Sequence, residues 1–243
     1  MNLSSLAQPL LKEKQEELDI QDLQGLWRIN WKIDRITLYS GIYTRVDQVF
    51  IIWAVIVGVM FATAQFLPIN WTIQAIWWSS LTIVGAIAMM SLTWFWAGVE
   101  RLRWVVCGWA ILVLTGVIFT DLGIFLGWGE ILIHLCPMWL SLSAIGYLFT
   151  GIGLRSRALC LAGCLHFLSV GFLSYVGGWQ FLTTGAVMSC NLLLLAQLQW
   201  DMRSPIEYAL LTSAQQQFNR QQHQQRIRHT PTGKQTTAVG IRK

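Results

Sequence analysis

The chain has 243 residues, of which 54% are hydrophobic and only 12% are charged. An ordinary soluble domain carries about 25% charged residues, so this composition excludes a typical water-exposed globule. The formal net charge is +5, which in a soluble protein would suggest nucleic-acid binding. Here the positions of the basic residues are explained by membrane topology, and we expect no nucleic-acid partner.

Residues 1–45 are predicted to form a cytoplasmic N-terminal segment. The stretch Leu10–Leu26 is charged and is predicted to be helical. The next stretch, Trp27–Asp34, alternates apolar and polar residues as a strand does, yet Trp27 and Trp31 also stand at helical i,i+4 spacing. An isolated strand would lack a partner, so we favour an interfacial helix that lies on the membrane.

Residues 46–200 contain apolar stretches of about 18 to 24 residues, each long enough to cross a hydrocarbon layer of about 30 Å. The predicted spans are Val46–Leu67, Ile73–Trp96, Trp104–Phe125, Glu130–Thr150, Ala158–Tyr175 and Gln180–Gln199. The predicted fold class is therefore an all-α membrane protein, a six-transmembrane helical bundle.

The orientation of the bundle is predicted from its basic residues. All 17 Lys and Arg residues lie before the first span, in the second-to-third and fourth-to-fifth connections, or after the last span. The positive-inside rule places these segments, and hence both termini, in the cytoplasm. Many of the 14 tryptophans stand near the predicted membrane boundaries, where indole rings are favoured. We expect a multi-pass protein of the plasma membrane or an internal membrane.

Residues 201–243 are predicted to begin with a capped helix. Ser204 is placed as the N-cap and Glu207 at the third helical position, the spacing of a capping box. An apolar residue then recurs every four positions: Ile206, Leu210, Ala214 and Phe218. This stripe predicts a short amphipathic cytoplasmic helix. From Gln221 the chain is Gln-rich and basic and is predicted to be disordered, attracted to anionic lipid or docked on a cytoplasmic partner.

One candidate polar site lies inside the membrane. His166 on the fifth span and Asn191 on the sixth are at similar depths, roughly 12 Å from the cytoplasmic end. Antiparallel neighbouring helices would bring these side chains together, and a shared hydrogen bond would satisfy both in hydrocarbon. The alternative is a contact to a quinone, a haem or a transported solute.

A second candidate lies near the outer surface. His134 follows Glu130 at i,i+4 spacing, and Asp121 at the end of the third span could join them. The simpler interpretation is an ordinary interfacial ion pair, and the sharper one is a divalent-metal site or a proton relay. The cysteines are interpreted as small hydrophobes rather than ligands, so no metal or other cofactor is predicted.

Packing motifs are weaker signals. Gly58-x-x-x-Ala62 and Gly123-x-x-x-Gly127 have the small-residue spacing that permits close helix contact. Arg101 and Arg155 each begin an Arg-x-Arg motif after a cytoplasmic turn, which is the pattern expected of a duplicated helical hairpin.

The sequence contains no phosphate-binding loop, zinc-protease helix or hydrolase nucleophile elbow. Its spans carry no Lys, Arg, Asp or Glu near their centres, where ion-coupled transporters keep ionisable groups. These features favour a non-enzymatic accessory, assembly or scaffold factor that associates with a membrane-protein partner or a second copy. A small transporter or channel, and an intramembrane redox or lipid enzyme, are the alternatives.

Overall fold

The computed structural model describes residues 9–15, 18–33, 36–203 and 210–229. The helices of this part of the chain are α1 (Ile20–Leu23), α2 (Arg45–Phe66), α3 (Trp71–Val99), α4 (Arg103–Phe125), α5 (Gly129–Ile133), α6 (Leu135–Leu154), α7 (Arg157–Phe172), α8 (Gln180–Gln197) and α9 (Ser213–His229). Six helical segments are long and apolar enough to cross a membrane: α2, α3, α4, α6, α7 extended to Tyr175, and α8 extended back to Gly177. The predicted number of membrane-length helices is thus confirmed.

The fourth predicted span differs from the structure at its start. Helix α5 ends at Ile133 and α6 begins at Leu135, so the helix is interrupted at His134. The predicted continuous helix from Glu130 is therefore two helices, a short outer one and a long one. Between α7 and α8 the chain continues through two short 3₁₀ turns, Leu173–Tyr175 and Gly177–Trp179.

Large apolar side chains cover the outside of the long helices. Leu168 is 74% exposed and Ile152 is 73% exposed. Soluble proteins rarely leave such surface open to water, whereas a bilayer solvates it. This outer surface, together with helix length, is compatible with a multipass membrane protein.

The long helices pack as antiparallel neighbours: α2 against α8, α3 against α4, and α6 against α7. Gly58 permits the first contact, because a Cβ there would lie 3.3 Å from the Ser189 hydroxyl of α8. The Gly123-x-x-x-Gly127 motif does not join two spans. A Cβ on Gly123 would meet Ile131 of α5, and Gly127 has a φ of +64° in the turn after α4.

The two Arg-x-Arg motifs form turns of the same geometry. Arg101 has a φ of 53° and Arg155 a φ of 55°, and each is followed by a residue whose N–H donates back across the helix end. The Leu102 N–H donates to the Ala97 carbonyl at 2.7 Å, and the Ser156 N–H to the Gly151 carbonyl at 2.8 Å. These are Schellman-type ends, so the α3–α4 and α6–α7 hairpins share one turn structure.

The N-terminal and C-terminal segments meet at one end of the bundle, which we call the terminal face. Strand β1 (Leu11–Lys12) pairs antiparallel with strand β4 (Gln199–Trp200), which follows α8. The predicted helix over Leu10–Leu26 is wrong, since among the described residues of this stretch only Ile20–Leu23 is helical. Backbone pairing with β4 explains the difference, because it satisfies the β1 groups without a helix.

The predicted interfacial helix at Trp27–Asp34 is also wrong. Trp27–Ile33 is strand β2, paired antiparallel with strand β3 (Ile36–Tyr43). The partner that the sequence interpretation lacked is the next stretch of chain, whose β-branched and aromatic residues favour a strand. Trp27 lies opposite Tyr43 in the register, and the Tyr43 hydroxyl accepts from the Gln197 amide at the end of α8 at 2.7 Å. The hairpin is therefore attached to the terminal face.

The tail helix begins later than predicted. Ser204 and Glu207 lie outside the described residues, so their capping box stays a prediction, but residues 210–212 are not helical and α9 starts at Ser213. Its capping box is Thr212–Gln215: the Thr212 N–H donates to the Gln215 side chain at 2.9 Å, and the Gln215 N–H to the Thr212 hydroxyl at 3.4 Å.

Helix α9 continues past Gln221 to His229, through residues predicted to be disordered. Glutamine is a good helix former, and α9 also docks on the N-terminal segment. The Ile20 N–H donates to the Asn219 side chain at 2.8 Å, and Arg226 forms an ion pair with Asp19 at 2.6 Å. Tertiary contacts thus order the part of the tail that the structure describes.

Candidate functional site

An apolar cavity of about 140 Å³ lies among the long helices. Its walls come from α2, α3, α4, α6, α7 and α8, and they consist mainly of Val, Leu, Met and aromatic side chains. Apolar cavities of about 150 Å³ stay dry and accept a ring the size of benzene. The cavity is therefore large enough to hold a small apolar group.

Aromatic rings form one wall of this cavity. The Trp109 and Tyr147 ring centroids lie 5.3 Å apart, and those of Tyr147 and His166 lie 5.0 Å apart. The Trp109 indole N–H donates to the Thr150 hydroxyl at 2.8 Å, and that hydroxyl donates to the Gly146 carbonyl at 2.7 Å. These hydrogen bonds hold the Trp109 ring in place.

His166 is fully buried, with 0% of its surface exposed. Its Nδ1 lies 2.8 Å from the carbonyl of Ala162 one turn back, and a carbonyl only accepts, so Nδ1 carries the proton. Nε2 of the neutral ring is therefore an acceptor, and it has no partner. Within the described part of the chain, it is the one such buried, unpaired side-chain atom on a residue that lines the cavity.

The predicted hydrogen bond between His166 and Asn191 is not formed, because Nδ1 is used by Ala162 and Nε2 is unpaired. The imidazole packs instead against the Tyr147 ring, which is tilted by 42° to it, and the Asn191 side-chain nitrogen is also without a hydrogen-bond partner. The sequence interpretation did not include this tyrosine.

The predicted outer trio is not assembled. Both carboxylate oxygens of Asp121 accept from the Ser79 hydroxyl of α3, at 3.0 and 2.9 Å. His134 hydrogen-bonds the backbone carbonyl of Glu130 at 2.8 Å rather than its carboxylate, and both residues are exposed. No group of three His, Cys, Asp or Glu among the described residues could hold a metal ion. The geometry thus gives the metal and proton-relay interpretations no support.

A polar pocket of about 250 Å³ lies at the terminal face. It is lined by residues of the N-terminal segment, the start of α2, the end of α3, residues 198–203 and α9. It shares three lining residues with the apolar cavity: Val46, Trp96 and Trp200. The two spaces are therefore neighbours, an apolar one inside the bundle and a charged one at its end.

Lys14 anchors the N-terminal segment to the bundle from within this pocket. Its ammonium forms an ion pair with Asp47 of α2 at 2.7 Å and donates to the carbonyls of Ile42 and Ala196. It also stands 4.8 Å from the centre of the Tyr43 ring, a cation–π contact. This lysine links the hairpin, α2 and α8.

Residues 199–203, which we call the clasp, join several elements of the terminal face. Asp201 accepts from the Ser156 hydroxyl at 3.0 Å, the Ala158 N–H at 2.9 Å and the Arg157 guanidinium at 2.7 Å. Burial opposes the charged form, but these hydrogen bonds lower the pKa of Asp201. The Arg203 N–H donates to the Leu154 carbonyl at 2.9 Å.

Asp22 is the pocket residue with the largest change in proton affinity. Burial, together with the nearby carboxylates of Asp19 and Glu100, raises its pKa from the ordinary value of 3.8 to about 7. The Trp96 indole N–H, which donates to Asp22 at 3.0 Å, and the Arg226 guanidinium oppose this increase. The folded protein therefore binds a proton here that the unfolded chain releases.

We expect Asp22→Asn to reduce the dependence of stability on pH. A raised carboxyl pKa means that the contribution of this group to stability is fully present below about pH 4 and is lost as the pH rises through 7, by roughly 1–3 kcal/mol. The asparagine oxygen can still accept from Trp96. Equilibrium unfolding in mixed micelles at pH 5 and pH 8 measures the effect, and equal pH dependence in both proteins would contradict it.

Sequence reasoning did not single out Tyr147, Asp22 or Asp201. Tyr147 carries a weak signal, since it is a polar-tipped residue inside a predicted span, three residues before its end. Asp22 and Asp201 carry none, because each is a surface-type residue in a charged segment, and only folding brings its partners to it.

Comparison of the chain with protein-family models, with curated proteins and with solved structures found no match in any of the three. Function is therefore inferred from the geometry of the cavity and the pocket.

Proposed function

We propose that this protein is a non-enzymatic, multipass accessory protein that binds a hydrophobic small molecule in its core. The observation that carries this proposal is the apolar cavity of about 140 Å³, which adjoins a charged pocket at the terminal face. Ligand sites are typically concave and mostly apolar, with a few well-placed polar groups. Here the apolar walls would hold the ligand, and the shared residues Val46, Trp96 and Trp200 would lie between it and the charged pocket.

The lining of the cavity favours binding over ion conduction. Its lining residues in the described part of the chain include one histidine and no Asp, Glu, Lys or Arg. Ion paths through membranes are lined by charged side chains or by rings of carbonyl groups that replace the water of hydration. An apolar, aromatic wall is better suited to a molecule that leaves water readily.

The proposed orientation of the protein in the membrane follows from the positions of its basic residues. Basic residues of the described chain, among them Lys14, Arg101, Arg155 and Arg203, lie in the segments that form the terminal face. We propose that this face is cytoplasmic and that anionic lipid gathers near the basic tail. The accessory role would be exercised on a membrane-protein partner or on a second copy of the chain.

Filling the cavity is expected to remove the bound molecule. In Val113→Phe a phenyl ring replaces a buried side chain, 8% exposed, that lines the cavity. We expect wild-type protein purified in mild detergent to carry one hydrophobic compound at near-stoichiometric amount, and the variant to carry at least tenfold less. Solvent extraction followed by mass spectrometry measures both.

Val55→Phe is the matched control, since Val55 belongs to α2, is 58% exposed and does not line the cavity. It should retain the compound. Equal amounts of the compound in wild-type and Val113→Phe protein, or only bulk lipid in the wild type, would overturn the proposal. Identification of proteins recovered with the wild type in the same mild detergent tests the accessory role, and recovery of the chain alone would count against it.

A further inference from the structure

Resting on the proposed function, we infer that the ligand of the cavity presents an aromatic ring with a hydroxyl group that donates a hydrogen bond to Nε2 of His166. The chemical class is a phenol or hydroquinone head group. The inference depends on three features: the tautomer of His166, the size of the cavity, and the rings on its wall.

The tautomer of His166 determines whether the ligand must donate or accept the hydrogen bond. Nδ1–H of His166 donates to the Ala162 carbonyl at 2.8 Å, which leaves a lone pair on Nε2 in the neutral ring. That atom is fully buried and unpaired, and burial of an unpaired polar group costs free energy. A ligand that donates to this lone pair removes the cost, whereas one that only accepts does not.

Two threonine hydroxyls of the wall are already used. The Thr93 hydroxyl donates to the Met89 carbonyl at 2.7 Å, and the Thr150 hydroxyl donates to the Gly146 carbonyl at 2.7 Å. A buried water needs two to four polar partners, and the cavity offers few besides His166. One donor on an otherwise apolar ligand matches this surface.

The volume and the aromatic lining of the cavity indicate the part of the ligand that carries the hydroxyl group. Its volume of about 140 Å³ is close to that of cavities that bind benzene. Trp53, Trp109, Trp139 and Tyr147 line it, and aromatic rings pack favourably edge to face against one another. A six-membered ring with one hydroxyl satisfies both the volume and the lone pair.

The test compares 4-fluorophenol with 4-fluorotoluene, rings of similar size of which only the first donates a hydrogen bond. Binding to the full chain in detergent is measured by ¹⁹F NMR and corrected for partition into empty micelles. We expect about tenfold tighter binding of the phenol to the wild type, because a site with an unpaired polar group discriminates against a ligand that cannot pair with it. In His166→Leu the ratio should fall to about one.

Two variants control this experiment. His134→Leu removes the exposed histidine of the outer end, which does not line the cavity, and should leave the phenol preference unchanged. His166→Gln restores an acceptor and should recover part of it. A readout on the wild type avoids dependence on folding of the variants: in protein labelled with ¹⁵N-histidine, the Nε2 signal of His166 should move on addition of the phenol and not of the toluene.

Equal binding of the two rings, or an Nε2 signal that the phenol does not move, would overturn the inference while the proposed function stands. If the protein binds neither ring but still copurifies with a hydrophobic compound, the inference is likewise overturned and the proposed function stands. A chain that binds neither ring and carries no compound would contradict both. The mass of the extracted compound distinguishes a free phenol from a head group with a lipid tail.

Discussion

Replacement of Asp201 by alanine is expected to lower the free energy of unfolding by about 2–4 kcal/mol. The carboxylate accepts hydrogen bonds at the start of α7 from Ser156, Arg157 and Ala158, and only 9% of the side chain is exposed. Alanine leaves the Ser156 hydroxyl and the Arg157 guanidinium without this acceptor. It also removes a negative charge from a helix N-terminus, where it is favoured.

Equilibrium unfolding in mixed detergent micelles measures this loss. Asp201→Asn is the control, since its oxygen still accepts from Ser156 or Ala158 while the charge is lost, and about half of the destabilisation is expected. Because its folded-state pKa is lowered, the contribution of Asp201 is present above about pH 4 and is lost at more acidic pH. A stability of Asp201→Ala within 0.5 kcal/mol of the wild type, at the limit for an ordinary surface change, would show that the clasp is not held by this residue.

The second large effect is expected at Gly151, where α6 contacts α7. A Cβ at this position would lie 2.8 Å from the backbone nitrogen of Cys160 and 3.1 Å from the carbonyl oxygen of Ser156. Backbone atoms cannot rotate away as a side chain can, so the two helices would have to separate. We expect Gly151→Ala to lower the free energy of unfolding by roughly 1–3 kcal/mol, as overpacked cores do.

Gly171 on α7 provides the matched control. A Cβ there meets nothing within 4 Å, so Gly171→Ala should leave stability unchanged or raise it by about 0.5–1 kcal/mol through helix propensity. The same unfolding assay compares the two variants. If both alanines had the same effect on stability, close packing at Gly151 would not be what holds α6 against α7.

The cavity and the terminal face respond to different perturbations in these experiments. Val113→Phe and His166→Leu alter the wall of the cavity, whereas Asp201→Ala and Asp22→Asn alter the charged layer at the end of the bundle. The two spaces share Val46, Trp96 and Trp200. Loss of the bound compound in a clasp variant that remains folded would therefore indicate that the terminal face also controls access to the cavity.

The sequence by itself determined the six membrane-length helices, because crossing a bilayer requires a long apolar stretch and each such stretch can be read locally. It also indicated the depth of His166 and Asn191, since depth follows from position along a helix. Charge at the ends of the bundle was equally visible, because Lys and Arg are excluded from the spans.

Only the tertiary structure decided which groups meet. The β2–β3 hairpin exists because two short segments satisfy each other's backbone groups, and α9 is ordered by contacts to Asp19 and Ile20 far away in sequence. Tyr147 contacts His166 because of how α6 packs on α7. Rotation of helices about their axes sets these contacts, and small residues such as Gly151 determine that rotation through packing that no local pattern encodes.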